Sequence, residues 1–238
     1  YVSKEVINVR ENVGLIEVSK FAKHEFKGPE AKKFLDHILA GKLPKPGRIS
    51  LSPMLTYRGK LYGDLTVACL EENEFIVFGS GAAQEMHRRW FENHLGKFKV
   101  QYKNRSDEFH GISIAGPNSR KVLEKIVREN VSNEKFKFRD SRRMFVGGVP
   151  AIINRISFTG ELGYEIYVAP HYQLKLFEEI MEAGKEFDIK PFGGRALMSM
   201  RLEKNWGAWT LDYRPDFTAK ETGLDTFINW DKEFIGKE

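Results

Sequence analysis

Two acids and two aromatics crowd one short stretch, Phe158 to Glu165. β-forming runs over 150–158 and 164–169 flank Thr159-Gly-Glu-Leu-Gly163, and Phe158, Glu161, Tyr164 and Glu165 stand at the mouth. Both glycines tolerate positive φ, so the spacing predicts a hairpin closed by a tight, glycine-built turn. A flat heteroaromatic ring carrying N–H donors would suit its mouth. An aromatic side chain covers the ring face, and a carboxylate accepts two parallel hydrogen bonds of about 1.5–3 kcal/mol each. The plainer alternative is an exposed turn with solvated acids. A third acid, Asp64, stands inside a strand pattern, where acids are depleted. Alternation puts Tyr62, Asp64 and Thr66 on one face, opposite Leu61, Leu65 and Val67. That face either meets water or lines a pocket with Phe158 and Glu165.

Other motifs point to less. Phe78-Gly-Ser-Gly-Ala-Ala-Gln84 has two glycines of a dinucleotide fingerprint, but Gln84 holds the third position and the preceding strand belongs to a hairpin. Those glycines instead admit a close backbone approach or begin a helix. His24-Glu25 lacks the second histidine of a zinc-peptidase helix. His87 and His94 share a helix face without a third ligand, so no metal is expected. Gly-x-Ser-x-Gly is absent, which removes the signature of a serine hydrolase.

The elements that must position these residues repeat. Gly28-Pro-Glu-Ala-Lys-Lys-Phe-Leu-Asp-His-Ile-Leu39 and Gly116-Pro-Asn-Ser-Arg-Lys-Val-Leu-Glu-Lys-Ile-Val127 match in Gly, Pro, Lys, Leu and Ile at an offset of 88 residues. A multi-strand β segment follows each copy, then an amphipathic helix (82–95 and 171–187). In the first copy the strands are 49–57, 61–70 and 74–78. The pattern predicts an α+β fold of duplicated β-α-β-β-β-α units whose antiparallel sheets bring equivalent hairpins face to face. Residues 1–13 form a first helix, Leu15–Phe26 a strand, and Gly194–Lys204 a last helix. Thr222–Trp230 has strand character. The expected division is a first lobe over 1–110, carrying part of the second repeat's packing strands, and a second over 111–238.

The chain has 238 residues, 41% hydrophobic and 30% charged, enough for one large core or two small ones. No apolar run reaches the roughly 18 residues of a membrane span, and no signal peptide opens the sequence. The single cysteine, Cys69, excludes an internal disulfide and fits a reducing compartment. Sequons at Asn104 and Asn130 carry little weight without a secretory signal. The net charge of +5 reads first as a lysine-rich solvated surface, ahead of nucleic-acid binding. Because the chain opens on Tyr1 and ends without a closing element, a piece of a longer polypeptide is expected.

Taken together, Val13-Gly-Leu-Ile-Glu-Val-Ser19, Phe158-Thr-Gly-Glu-Leu-Gly-Tyr-Glu165, Arg201-Leu-Glu203 and Phe234-Ile-Gly-Lys-Glu238 resemble the tetrahydrofolate-binding domains of the glycine-cleavage T-protein (aminomethyltransferase) family. Lys42 to Thr56, Gly79-Ser-Gly81 with His87-Arg-Arg-Trp90, and Arg201-Leu-Glu-Lys204 narrow the resemblance to the folate domain of dimethylglycine and sarcosine dehydrogenases. It spans nearly the whole chain. It implies sheets packed around a central folate cleft, with the C-terminal barrel missing and FAD confined to a missing N-terminal domain. By resemblance, Asp64 is the catalytic carboxylate beside the folate N5/N10 edge, with Thr66 close by. Glu165 accepts from the pterin N3–H and 2-amino group. Phe158 replaces the family's pterin-contacting tyrosine, Gly79 falls at a folate contact, and Tyr164 lies beside the site. An arginine of true T-proteins is lost at Leu197, where Arg195 is a candidate substitute.

The function implied is capture of a one-carbon unit from an oxidised N-methyl amine, giving 5,10-methylenetetrahydrofolate. The partners are a small-molecule substrate and an FAD-dependent dehydrogenase domain, with no nucleic acid and no membrane. The compartment is the cytoplasm, or the mitochondrial matrix in a eukaryote. Two alternatives stay open: a folate-binding module of the tRNA-modification type without catalysis, and a demethylase of a small methylated osmolyte.

Overall fold

The protein is described by a computed structural model covering residues 1–238. The chain divides into two compact units that interleave in sequence. One is Tyr1–Ser19 with Asp107–Trp206, the other Lys20–Ser106 with Gly207–Glu238.

The second of these holds the first copy of the repeat. Its elements are β2 (Ala22–Lys27), α2 (Ala31–Ile38), β3 (Arg48–Leu55), β4 (Leu61–Glu71), β5 (Glu74–Gly79), α3 (Gln84–Leu95) and β6 (Gln101–Asn104). The strands form one antiparallel sheet in the order β3-β4-β5-β2-β6. On α2, Ala31, Phe34, Leu35 and Ile38 recur at helical spacing, and all four are buried. They meet Phe26, Met54, Leu65, Val67, Phe75 and Val77 from the sheet and Phe91 from α3. The period-2 pattern of β4 thus hands one face to the helices and turns the other, with Asp64 and Thr66, away from them.

The other unit repeats the order: β7 (His110–Ala115), α4 (Ser119–Ile126), β8 (Ser141–Val146), β9 (Val149–Asn154), β10 (Gly163–Val168) and α5 (Gln173–Gly184). Around them stand α1 (Val2–Glu11), β1 (Gly14–Glu17), the two-residue β11 (Lys190–Pro191) and α6 (Gly194–Glu203). Its sheet runs β11-β1-β7-β10-β9-β8. The inner order β7-β10-β9-β8 is that of β2-β5-β4-β3, so the duplication holds at the level of strand pairing. Gly28 and Gly116, which open the two Gly-Pro helix starts, have φ of +132° and +131°. A side chain there would also strike backbone oxygens of Lys99 and Asn12, respectively.

One face of this second sheet packs on α4 and α5 through Ile112, Ile114, Val122, Leu123, Tyr164, Ile166, Leu176 and Ile180. A separate cluster is built from Val9 of α1, Ala115 of β7, Phe192, and Ala196, Leu197 and Met200 of α6.

Several expectations are corrected. Leu15–Phe26 is not one strand: β1 and β2 belong to different sheets, and the chain turns at Val18–Phe21, where the Glu17 carboxylate accepts the Ser19 N–H at 2.6 Å. The split at residue 110 also differs from the observed division. Before each repeat a strand crosses over: β1 pairs with β7, and β6 pairs with β2. That exchange is why the units interleave. The tail is not a strand. Beyond the single bridge Gly41↔Ile228 it is a series of turns, with Gly223 at φ +72° and a short 3-10 turn at Asp225–Phe227. It nonetheless closes against its unit, because Phe234 and Ile235 are buried and the Ile235 N–H donates to the His37 carbonyl at 3.1 Å.

Candidate functional site

In the first-repeat unit, Asp64 and Thr66 emerge from β4 on the face turned away from α2 and α3, both partly exposed. Asp64 stands opposite Pro53 of β3, and Thr66 opposite Leu51 and Phe78. Burial pushes the Asp64 carboxyl up to about 7, opposed only by its own backbone N–H. Tyr62 does not share that face. Register slips between Met54 and Leu55, so Tyr62 is the extra residue of a β-bulge. Its ring turns onto α3, 4.6 Å from Trp90.

Gly79 ends β5 with its missing side chain directed at α3: a Cβ would lie 2.9 Å from Leu65 Cδ2 and 3.3 Å from His87 Nδ1. It leaves room for the helix, and only its main chain can serve a ligand on the Asp64 face. Gly81 is tighter, since a Cβ there would lie 2.0 Å from the Lys20 carbonyl oxygen. Gly81→Ala is therefore expected to cost about 1–3 kcal/mol of stability, read as a lower midpoint in urea unfolding. The His87 Nε2–H donates to the Tyr62 carbonyl at 2.8 Å, and burial holds this ring down to about 4. His94 contacts the Tyr57 hydroxyl and the Trp90 carbonyl, both at 2.6 Å. No group of three or more His, Cys, Asp or Glu side chains is arranged to hold a metal.

In the other unit, Glu165 stands in a row of side chains across the sheet: Ile16, Ser113, Glu165, Asn154 and Ser141 are successive register partners. Glu165 is partly exposed. The Tyr167 hydroxyl, on the same face of β10, donates to Glu165 Oε2 at 2.9 Å. Burial raises the Glu165 carboxyl to about 7, against the Tyr167 hydrogen bond and the Lys204 charge. Lys204, just past α6, donates to the Ser157 carbonyl at 2.9 Å, and desolvation lowers its own pKa.

The 155–162 connection is a loop rather than a tight turn. Only Gly160 has positive φ (+88°), whereas Gly163 is already in strand register with Ala115. Arg10 clamps this loop: Nη1 donates to the Thr159 carbonyl and Glu161 Oε1, both at 2.8 Å, and Nη2 to Glu203 Oε2 at 2.6 Å. Glu161 is thus occupied structurally and does not act with Glu165. Phe158, half-buried, leans on the cluster that includes Leu197 and Phe192.

Tyr164 is corrected as a site residue. Strand alternation sends it to the α4/α5 side, fully buried, with its ring 5.7 Å from Phe136 and its hydroxyl accepting from Arg120 Nε at 3.2 Å. Arg195 is exposed in the first turn of α6. Leu197 is buried. Tyr167, Lys204, Arg10 and Asn154 were missed from the sequence. Alternation from Glu165 points to Tyr167, and a step of seven from Leu197 along α6 points to Lys204. Nothing local announces Arg10 or Asn154.

Ionising Glu165 has a consequence for stability. Its folded value, near 7, lies above the ordinary carboxylate value of 4.5. The folded chain therefore holds the proton more tightly, and this contribution, full below pH 4.5, is lost as pH rises through 7. Glu165→Gln removes the cost of charging a desolvated group. At pH 8 it is expected to be more stable by about 1–3 kcal/mol, discounted for partial exposure, in thermal unfolding.

Comparison with known proteins agrees with this fold. Residues 1–232 match the family described as GCVT N-terminal domain. Mitochondrial dimethylglycine dehydrogenases of Mus musculus and Homo sapiens are each 38% identical over the full chain, which spans 28% of their length. An aminomethyltransferase of Caldanaerobacter subterraneus subsp. tengcongensis is 32% identical over 97% of the chain and 62% of its own. The glycine cleavage system aminomethyltransferase T from Bartonella henselae superposes with a TM-score of 0.89, 23% identity, 99% of this chain and 64% of that one. The chain therefore covers less than two thirds of these relatives.

Proposed function

The chain belongs to the GCVT N-terminal domain family, and from that premise we propose that it binds tetrahydrofolate and captures a one-carbon unit from an oxidised N-methyl amine of the dimethylglycine or sarcosine type, giving 5,10-methylenetetrahydrofolate. The amine would be oxidised by a dehydrogenase domain, the activity in the names of two relatives, and we take FAD to be that domain's cofactor. Those two relatives are named as mitochondrial, and the compartment that fits this reading is the mitochondrial matrix, or the cytoplasm in a bacterium. No helix is long and apolar enough to cross a membrane.

The observation that carries this reading is the state of the two carboxyl groups. Each is desolvated, yet neither meets a cation in a close ion pair: Glu165 has one oxygen held by Tyr167 and Oε1 free, and Asp64 has only its own backbone N–H. Unpaired, desolvated carboxyls are costly to charge and are kept where a ligand or a reaction uses them. Glu165 fits the pterin edge, because an ionised carboxylate with an unspent oxygen accepts from N3–H and the 2-amino group. Phe158, in the same unit as Glu165, supplies a ring for the pterin face, while Thr66 and the Gly79 main chain belong with Asp64 in the other unit. Tyr164 and Arg195 have no part in this assignment.

When bound, tetrahydrofolate supplies the nucleophilic nitrogens that accept the one-carbon unit. Asp64 would stabilise the positive charge that develops on nitrogen as the new bond forms, an effect that strengthens where water is excluded. With its carboxyl near 7, it can also hold or release a proton at Oδ near neutral pH.

Only the ionised form of Glu165 accepts both donors. Tetrahydrofolate affinity should therefore rise with pH through about 7 and level off above it, measured by anaerobic calorimetry from pH 5.5 to 9. An affinity flat across that range, or falling with pH, would overturn the pterin assignment.

A further inference from the structure

Asn154 presents an anomaly beside the proposed pterin acceptor. It is fully buried, on the last position of β9, directly opposite Glu165 of β10 on one side and Ser141 of β8 on the other. The Ser141 hydroxyl, itself buried, donates to Asn154 Oδ1 at 2.7 Å. With Oδ1 on that hydroxyl, Nδ2 is left buried with no partner. Buried donors are almost always satisfied, so an orphan calls for a reason. Directly opposed residues of an antiparallel pair have Cβ atoms about 4.5–5.5 Å apart, within reach of an amide and a carboxylate. Glu165 Oε1 accepts no hydrogen bond from the protein, and Tyr167 already occupies Oε2. A free donor and a free acceptor therefore face each other across one register pair.

We propose that Asn154 is a positioning residue for Glu165: its side-chain N–H meets the carboxylate when that group ionises, and Ser141 holds the amide in the orientation this requires. The role rests on Glu165 being the ligand acceptor only for its consequence in binding; the pair itself is a property of the ligand-free chain. Asn154 is too deeply buried to touch a ligand. It acts through Glu165, fixing the plane of the carboxylate so that its outer edge is presented to two N–H donors, and favouring the charged form that can accept them. The other groups facing Glu165 are the Tyr167 hydroxyl on its own strand and the Lys204 ammonium past α6, while β7 presents the uncharged Ser113. Lys204 assists ionisation through its charge but is tied to the Ser157 carbonyl. Asn154 is the neutral donor placed in register.

The first test needs no variant of Asn154. In the ligand-free chain, the Asn154 side-chain amide protons are followed by 15N-resolved NMR from pH 5 to 9, with Glu165→Gln as the control. The expected result is a downfield shift of one amide proton with a midpoint near 7, absent in the control. No shift, or the same shift in Glu165→Gln, overturns the proposal. The second test measures tetrahydrofolate binding by Asn154→Ala. Losing a donor to the charged form moves the midpoint of the pH–affinity curve up by about one unit, so binding is about tenfold weaker at pH 6 and unchanged at pH 9. A merely structural role would weaken binding equally at both pH values, and that outcome also contradicts the proposal. If the NMR shift appears while the unaltered chain fails to bind tetrahydrofolate at any pH, the pair stands and the ligand assignment falls.

Discussion

Glu165→Gln is expected to weaken tetrahydrofolate binding by about 10²–10³-fold at pH 8 while leaving the chain folded. The ionised carboxylate offers acceptors to both N3–H and the 2-amino group. Glutamine offers one acceptor and turns an NH₂ donor toward the second ligand donor. Two charge-assisted hydrogen bonds of about 1.5–3 kcal/mol each are thereby exchanged for one neutral bond and one opposed pair. The Tyr167 hydroxyl, which donates to Oε2 at 2.9 Å, can still donate to the amide oxygen, so its own bond survives. Calorimetry gives the affinity, and thermal unfolding gives the accompanying gain in stability at pH 8. Weak binding with raised stability is the signature of a group kept for a ligand at the fold's expense. Weak binding with lowered stability would instead mark Glu165 as a structural residue.

Asp64→Asn should act on rate rather than affinity. The carboxylate has no cation and no side-chain hydrogen-bond partner, and burial raises it to about 7. A charge held that way stabilises a neighbouring positive charge more than it stabilises a neutral ligand, so its loss falls on the transition state. The expected fall is about 10²–10³-fold in the rate at which the chain accelerates condensation of formaldehyde with tetrahydrofolate, with affinity changed by a few fold at most. In the unaltered chain that rate rises as pH passes through about 7, the direction set by ionising Asp64, and the asparagine variant loses this inflection. A rate unchanged in Asp64→Asn would remove Asp64 from the chemistry.

Much of the architecture can be read from short-range regularities, and the failures occur where long-range pairing decides. The two Gly-Pro helix starts, the hairpin strands and both amphipathic helices follow from helical and strand periodicity and from glycines that must take positive φ. The exchange of β1 and β6 between the sheets leaves no local trace, because a strand's sequence shows which face is apolar but not which partner it joins. The bulge at Tyr62 flipped one residue of an otherwise faithful alternation; Asp64 and Thr66 kept their face, and Tyr62 lost it. Tyr164 and Glu165 were placed together as neighbours in sequence, whereas adjacent strand residues point to opposite faces. The tail reads as a strand from its aromatic and β-branched content, but Gly223 and Asp225 break it into turns. Asn154 was invisible for the same reason as β1: its importance comes from the register of β9 on β10, not from its neighbours.

The central claim is that the Glu165 carboxylate takes the donor edge of a pterin, and it is tested most directly with tetrahydrofolate labelled with 15N at N3 and the 2-amino group. Titrated into the chain at pH 8, the label should yield a slowly exchanging, downfield N3 proton on binding, and Glu165→Gln should abolish that signal. The same downfield proton in the glutamine variant, or its absence from the bound ligand in the unaltered chain, would contradict the account.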